Sequence, residues 1–280
     1  MDAGFDIKSG DTRASPVVLS VPHAGRDYPP ALLAALRTPL QPPVALEDRH
    51  VDAVAEAARG ARTAIVARRA RAWIDLNRGE DERDPQVDEG ARITAYPVRS
   101  TKVRSGLGLV PWRGATVHGL WRRRFRDDEI AARIVADHRP YHAAVAAALN
   151  AARARFGVAV LLDLHSMPPL GGGAPQIVIG DRFGRTAAAR FVARIESVAA
   201  TTHAVGLNAP YAGGHILDRH GAPSRGVHAI QLELDRSLYL DAALDRPGKG
   251  LAQTAALLVR VLAALEDEAI GGYRSALAAE

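Results

Sequence analysis

The chain has 280 residues, of which 48% are hydrophobic and 24% are charged, a composition typical of a folded globular protein. No apolar run reaches the roughly 18 residues that cross a bilayer, and the acidic amino terminus is unlike a signal peptide, so we expect a cytoplasmic protein without a membrane partner. The net charge is +5, but most basic residues are arginines spread along the chain without interleaved aromatics, so we expect no nucleic-acid partner.

In chain order, segments with strand-like composition alternate with segments of helical periodicity. The pattern predicts strands at 16–22, 62–68, 71–77, 158–165, 175–180, 203–208 and 228–234. It predicts helices at 30–37, 48–60, 127–155, 184–200 and 249–268. This alternation favours an α/β fold in which helices cover the faces of a sheet.

The domain organisation follows from what the chain lacks. There is no internal repeat, low-complexity tract or long linker, so we expect a single domain across residues 1–280. The stretch at about 79–119 is polar, with glycine, proline and arginine throughout and little periodicity. We expect an irregular insertion there, positioned as a lid or rim over a functional site. The sequence does not indicate an oligomeric state.

Two predicted strands run directly into histidine. The apolar run from residue 158 ends in Asp163, Leu164 and His165, and the strand at 16–22 is followed by His23. Carboxyl ends of strands meet at one edge of an α/β sheet, which is where such folds bind ligands. Because the chain has no cysteine, a metal site here must use histidine and carboxylate. The alternative for each histidine alone is an ordinary hydrogen-bonded loop residue.

An acid for such a site is offered where the helix at 48–60 begins. Glu47 and Asp48 flank the apolar stripe of that helix, and periodicity does not choose between them. The stripe consists of Val51, Val54, Ala55 and Ala58. The alternative is that these acids only cap the helix.

A second carboxylate, Glu233, lies between Leu232 and Leu234 in an apolar strand. Burying it costs several kcal/mol unless it is paired or acts as a titrating base, and the alternative is a salt bridge to an arginine. Asn77 and Arg78 end another predicted strand, and an arginine fork suits a substrate carboxylate. Arg219, after a glycine-rich loop, has a similar status.

Other chemistries lack their motifs. The sequence contains no phosphate-binding glycine loop with lysine, no G-x-G-x-x-G after a strand, no G-x-S-x-G elbow and no H-E-x-x-H helix. Nucleotide-dependent enzymes, serine hydrolases and zincin proteases are therefore disfavoured.

Taken in order, several segments between residue 16 and about residue 240 resemble the N-formylglutamate amidohydrolase family. They are Ser20–Gly25, Asp48–Asp52, Ile74–Arg78, Pro140–His142, Asp163–Ser166, and Gly213–Ile216 with the stretch to Leu234. The resemblance implies a three-layer fold like that of the zinc carboxypeptidases, with a mixed sheet between helix layers.

The resemblance also implies roles for individual residues. His23 and His165 would be metal ligands, with Asp48 as the third, and Glu233 would be the general base. Arg78 would hold a substrate carboxylate; Asn77, Arg219 and His228 are further candidates for substrate binding. The carboxypeptidase pattern His-x-x-Glu is not kept, because residue 26 is arginine.

The expected cofactor is one divalent metal ion, Zn²⁺ by the type of ligand. The expected substrate is a small anionic N-acyl amino acid. By resemblance, the reaction is the hydrolysis of N-formyl-L-glutamate to formate and L-glutamate, a step of histidine degradation. The alternative is a related metal-dependent amidohydrolase or carboxypeptidase-like enzyme that acts on another N-acyl amino acid or on a peptide.

Overall fold

The structure, a computed structural model, describes residues 3–8, 15–38, 43–92, 100–113 and 119–277, with side chains described up to residue 271. The chain divides into two compact units, each built from three segments. The first unit contains Met1–Asp6, Pro22–Glu47 and Ala67–Ala143, and the second contains Ile7–Val21, Asp48–Val66 and Ala144–Glu280. The single domain expected from the sequence stays a prediction.

Seven strands form one sheet in the order β1-β3-β2-β4-β7-β5-β6. The strands are β1 (Phe5–Lys8), β2 (Val17–Val21), β3 (Ala64–Ala67), β4 (Ala159–Met167), β5 (Ile177–Gly180), β6 (Val205–Leu207) and β7 (Val227–Asp235). Strand β2 is parallel to β3 and β4, and β4 is parallel to β7, whereas β5 runs antiparallel to β7. The α/β class with a mixed sheet is therefore confirmed.

The centre of the sheet is formed by β4 and β7, which are buried over their whole length. Both are rich in valine, leucine and isoleucine, because a parallel strand covered on both faces has no solvent side on which to place polar residues. The positions of β2 to β7 agree with the predicted strands. The strand predicted at 71–77 is wrong, since these residues form turns, and the short, half-exposed β1 was not predicted.

The described helices mostly follow the predicted segments. They are α1 (Pro30–Ala35), α2 (Val51–Arg59), α3 (Thr101–Arg104), α4 (Asp127–Arg133), α5 (Arg139–Phe156), α6 (Ala189–Ala199), α7 (His215–His220) and α8 (Leu251–Leu277). The helix predicted at 127–155 is divided by a π-helical turn at Ile134–His138, and the short α7 was not predicted. No helix in the described ranges combines the length and apolar character needed to cross a membrane.

In the second unit, helices pack on the sheet through apolar stripes. The four predicted stripe residues of α2, from Val51 to Ala58, are all buried, and α2 and α8 contact both β2 and β4. Helix α7 contacts β4 and β7. Burial of these stripes is the main source of stability for helices of this length.

The first unit contains α1, α3, α4 and long irregular segments. The described part of 79–119 consists of turns and bends apart from α3, in agreement with its lack of periodicity. The packing of the first unit uses a buried arginine, Arg133. The Arg133 guanidinium lies 3.8 Å from the centroid of the Trp73 ring and 4.0 Å from the centroid of the Phe125 ring. Nη1 of Arg133 also donates to the Trp73 carbonyl at 3.0 Å. Cation–π contacts thus compensate for burying this charge.

Candidate active site

The carboxyl half of β4 carries Asp163 and His165, which point to the same face of the sheet. The parallel register places Ser20 of β2 beside Asp163, and Glu233 of β7 beside His165. Gln231 is beside Asp163 in the same register. Polar side chains from three neighbouring strands are therefore collected on one face, as the strand-end pattern predicted.

His165 lies between two carboxylates. Its Nε2 is 2.8 Å from Asp163 Oδ2, and its Nδ1 is 3.2 Å from Asp48 Oδ2. Ser20 donates its hydroxyl proton to the other oxygen of Asp163 at 2.7 Å. Burial lowers the pKa of His165, but Asp163, Asp48 and the nearby Glu233 raise it well above its usual value. The surroundings of this ring therefore favour a positive charge.

Glu47 and Asp48 have different partners in the structure. Asp48 faces His165, and its second oxygen accepts from Arg236 Nη2 at 3.3 Å. Glu47 instead accepts a hydrogen bond from the Tyr28 hydroxyl, within the first unit. Arg236, which no motif singled out, directly follows β7. Its location just past the end of an apolar strand is the sequence signal that could have identified it as a site residue.

Glu233 is 7% exposed, and its Oε1 accepts from Gln231 Nε2 at 2.8 Å. Because residues two apart on a strand share a face, the pairing is a direct consequence of the sequence spacing. The amide holds one carboxylate oxygen in place and thereby fixes the orientation of the other.

In the first unit, His23 follows β2 by two residues and is held by a buried aspartate. His23 Nε2 lies 2.7 Å from Oδ1 of Asp75, which also accepts from the Asn77 backbone N–H at 2.9 Å. Arg71 Nε donates to the other oxygen at 2.9 Å. Burial raises the pKa of Asp75, but Arg71, His23 and Arg78 hold it well below its usual range. The surroundings of Asp75 therefore favour its charged form, which accepts the hydrogen bond from His23.

Asn77 and Arg78 are buried in the same turn. Arg78 Nε donates to the Leu107 carbonyl at 2.8 Å. Two fully buried histidines fix the backbone of this turn: His138 Nε2 donates to the Arg78 carbonyl at 2.8 Å, and His142 Nε2 donates to the Leu76 carbonyl at 3.0 Å. These two histidines were given no role from the sequence, although their i, i+4 spacing puts them on one side of a helix.

Two predicted substrate contacts lie elsewhere in the second unit. His228 is five residues before Glu233 on β7, so it points to the opposite face, where its ring lies 4.5 Å from that of Phe191. Arg219 is exposed and lines a cavity near the amino end of β7. Neither position supports the predicted contact with substrate.

His23 and His165 have the same arrangement at Nε2. An ionised carboxylate can only accept, so each Nε2 carries the proton that it donates to aspartate, and a neutral ring then has its lone pair on Nδ1. Metal-ligating histidines commonly show this pattern of a carboxylate behind the ring. Histidine and aspartate groups that could hold a metal ion are thus present among the described residues.

Comparison with known proteins gives consistent results. Residues 15–240 match the profile of the N-formylglutamate amidohydrolase family. The chain is 32% identical over 254 residues to an N-formylglutamate deformylase of Pseudomonas aeruginosa, covering 86% of this chain and 87% of the relative. It is 30% identical over 236 residues to an N-formylglutamate deformylase of Pseudomonas putida, covering 81% of this chain and 82% of the relative.

Solved structures agree. The crystal structure of N-formylglutamate amidohydrolase from Ralstonia eutropha JMP134 superimposes with a TM-score of 0.86 at 30% identity, covering 97% of this chain and all of that one. A gene product of Agrobacterium tumefaciens, 19% identical with a TM-score of 0.66 over 99% of this chain and 97% of its own, shares the fold. With the family profile matching most of the chain, the protein belongs to the N-formylglutamate amidohydrolase family.

Proposed function

We propose that this protein hydrolyses the formyl amide bond of N-formyl-L-glutamate to give formate and L-glutamate. The observation that carries the proposal is the position of His165 between two buried aspartates, with Glu233 beside it in the register. The names of the two Pseudomonas relatives support this choice of substrate.

The proposed ligands of a single divalent ion are His23, Asp48 and His165, each of which is buried and offers one ligand atom. For His165, the chemistry of the donor set supports this assignment. The Nε2 proton of His165 is directed at Asp163, so a neutral ring has its lone pair on Nδ1, facing the Asp48 carboxylate. Nδ1 and Asp48 Oδ2 would then be two hydrogen-bond acceptors 3.2 Å apart, and only a cation or a second proton between them makes that contact favourable.

The position of His23 along the chain also supports the assignment. Strand β2 is parallel to β4 and ends at Val21, with Ser20 beside Asp163, so the chain leaves β2 toward the edge at which His165 lies. A set of nitrogen and oxygen ligands without cysteine suits Zn²⁺. Such an ion, when bound, polarises the formyl carbonyl and lowers the pKa of a water molecule to about 7.

Glu233 is assigned the proton transfers. We assign its carboxylate, which Gln231 orients through Oε1, to accept a proton from the attacking water and to return it to the leaving amine. The position of Glu233 beside His165 in the register supports the role, because a general base must lie within reach of the proton that it accepts.

Asn77 and Arg78 remain the proposed contacts for the carboxylates of the substrate. The buried turn that carries them is held by the hydrogen bonds of His138 and His142, so its geometry is set before substrate arrives. Rigid positioning of such groups lowers the cost of binding. The mixed sheet with these side chains at the ends of its central strands supports the finer assignment to a zinc-carboxypeptidase-like fold.

The substrate is tested by measuring formate or acid release from N-formyl-, N-acetyl- and N-succinyl-L-glutamate with the metal-loaded protein. We expect kcat/KM for the formyl compound to exceed the other two by at least about tenfold, since a pocket shaped for one small acyl group excludes larger ones. Equal rates would favour the alternative, an amidohydrolase for another N-acyl amino acid.

The metal site is tested with a matched pair of neighbouring acids. Asp48→Asn should remove most of the bound metal and of the turnover, whereas Glu47→Gln, which changes an equally buried carboxylate one residue away, should retain the metal. His23→Ala and His165→Ala should also lose metal, with His203→Ala as the histidine control. Metal retained by Asp48→Asn at the wild-type level would remove Asp48 from the ligand set.

A further inference from the structure

A cavity of about 210 Å³ in the second unit is lined by a cluster of basic side chains. Arg153 comes from α5, Arg219 from α7, and Arg225 from the turn between α7 and β7. Asn150 and His220 complete the polar lining, and the cavity has no acidic residue in its described wall. All three arginines are exposed, and together they give this part of the surface a positive charge.

These arginines differ from most of their neighbours in having no acidic partner. Elsewhere in the unit Arg62 pairs with Glu266, and Arg182 pairs with Asp218 at 2.8 Å. Asp218 is adjacent to Arg219 in sequence but is occupied by Arg182. Among the residues whose side chains are described, none of the three cavity arginines forms an ion pair.

The cavity is separate from the proposed catalytic carboxylate. Val227, which lines it, is the first residue of β7 and precedes Glu233 by six residues. At about 3.3 Å per residue, the two positions are roughly 20 Å apart along the strand. His220, another wall residue, is close enough to Asp163 for the charge of that carboxylate to act on its pKa, so part of the cavity wall approaches the aspartate behind His165.

We propose that this cavity binds a small multivalent oxyanion at a site distinct from the one where the amide is hydrolysed. Guanidinium groups bind phosphate and carboxylate through paired hydrogen bonds, and three of them match an anion of charge −2 or −3. The volume is below the range of about 300–1,000 Å³ typical of drug-sized ligands, so it fits a phosphate or a small polycarboxylate and not a nucleotide.

The two uncharged groups of the wall fit this role. Asn150 contributes an amide that can donate to an oxyanion. Burial, with Arg219 beside it, lowers the pKa of His220 to about 4, so at neutral pH this ring adds no charge to the wall. The positive charge of the site therefore comes from the arginines and persists across the physiological pH range.

The test is calorimetric titration of the intact protein with inorganic phosphate and, separately, with citrate, in Tris chloride of low ionic strength. We expect at least one of them to bind with a Kd of about 1 mM or lower. Which of the two binds more tightly distinguishes phosphate from polycarboxylate. In the double variant Arg153→Glu/Arg225→Glu, affinity should fall at least tenfold, and in Arg225→Gln at least threefold.

The matched control is Arg155→Glu/Arg260→Glu, which makes the same change of charge at exposed positions of the same unit that do not line the cavity. This control should bind within twofold of the wild type, and saturating N-formyl-L-glutamate should not displace the anion. Equal loss in the control, displacement by N-formyl-L-glutamate, or no binding at 10 mM would each overturn the proposal. The phosphate and citrate titrations involve no turnover, and the displacement experiment uses the Glu233→Gln variant, so these outcomes are independent of the proposed reaction.

Discussion

The aspartate behind His165 offers a sharp test of how the site is built. Asp163→Asn keeps the size of the side chain and one oxygen, which can accept from His165 while the new amide NH2 faces the Ser20 hydroxyl, but it removes the negative charge. The bond that changes joins His165 Nε2 to Asp163 Oδ2 at 2.8 Å, between side chains that are 3% and 0% exposed. The variant therefore removes the charge of this carboxylate together with one of its two accepting oxygens.

The size of the effect follows from that geometry. A buried, charge-assisted hydrogen bond contributes about 1.5–3 kcal/mol, and the asparagine retains part of it. Loss of such a carboxylate behind a ligating histidine typically lowers metal affinity by about 10–100-fold, or roughly 1.4–2.7 kcal/mol. We expect a change in this range for the Kd of the metal, while the fold is retained.

The assay is the metal dissociation constant from competition with a chelator, with thermal unfolding to check the fold. The matched control is Asp235→Asn, at the end of β7, whose carboxylate accepts from the Ser237 backbone at 2.8 Å. Affinity within twofold of the wild type in Asp163→Asn, or an equal loss in Asp235→Asn, would refute the role assigned to Asp163.

Three further predictions concern stability. Gly25→Ala should lower the free energy of unfolding by about 1–3 kcal/mol, because the added Cβ would collide with the Arg69 backbone carbonyl. The measurement is a urea titration, and an unchanged midpoint would contradict the predicted collision. Val54→Ala, at a fully buried position of α2, should cost about 2 kcal/mol, and a loss under 0.5 kcal/mol would argue against tight packing there. Burial, with Arg190 nearby, lowers the pKa of His228 to about 4, and its Nδ1 accepts from the Ala188 backbone at 3.3 Å. Because the folded pKa lies below the unfolded value of about 6.5, the wild type should lose stability relative to His228→Leu as the pH falls from 6.5 to 4. If the melting temperatures of the wild type and of His228→Leu change in parallel across this pH range, His228 makes no such contribution to stability. An unchanged KM in His228→Leu would agree with the position of His228 away from Glu233.

Much of the architecture was predictable because its determinants are local. An apolar run long enough for one strand, such as β4 or β7, forms its backbone hydrogen bonds and buries the side chains of both faces when it lies at the centre of a sheet. The stripe of α2 was predictable for a similar reason, because the helical period fixes which residues share a face. The strand predicted at 71–77 failed where local composition was outweighed: the side chain of Asp75 accepts a backbone N–H and bends the chain into a turn.

The sequence by itself determined which residue types stand at the ends of the apolar strands, since strand period and burial depend only on near neighbours. Tertiary structure alone decided the partners of those residues. Glu47 contacts Tyr28 and Asp48 contacts His165, and neither partner is close in sequence. The position of Arg219 depends on how α7 packs against β7. Hydrogen bonds between distant residues depend on distances of about 3 Å, which only the packing of the whole chain fixes.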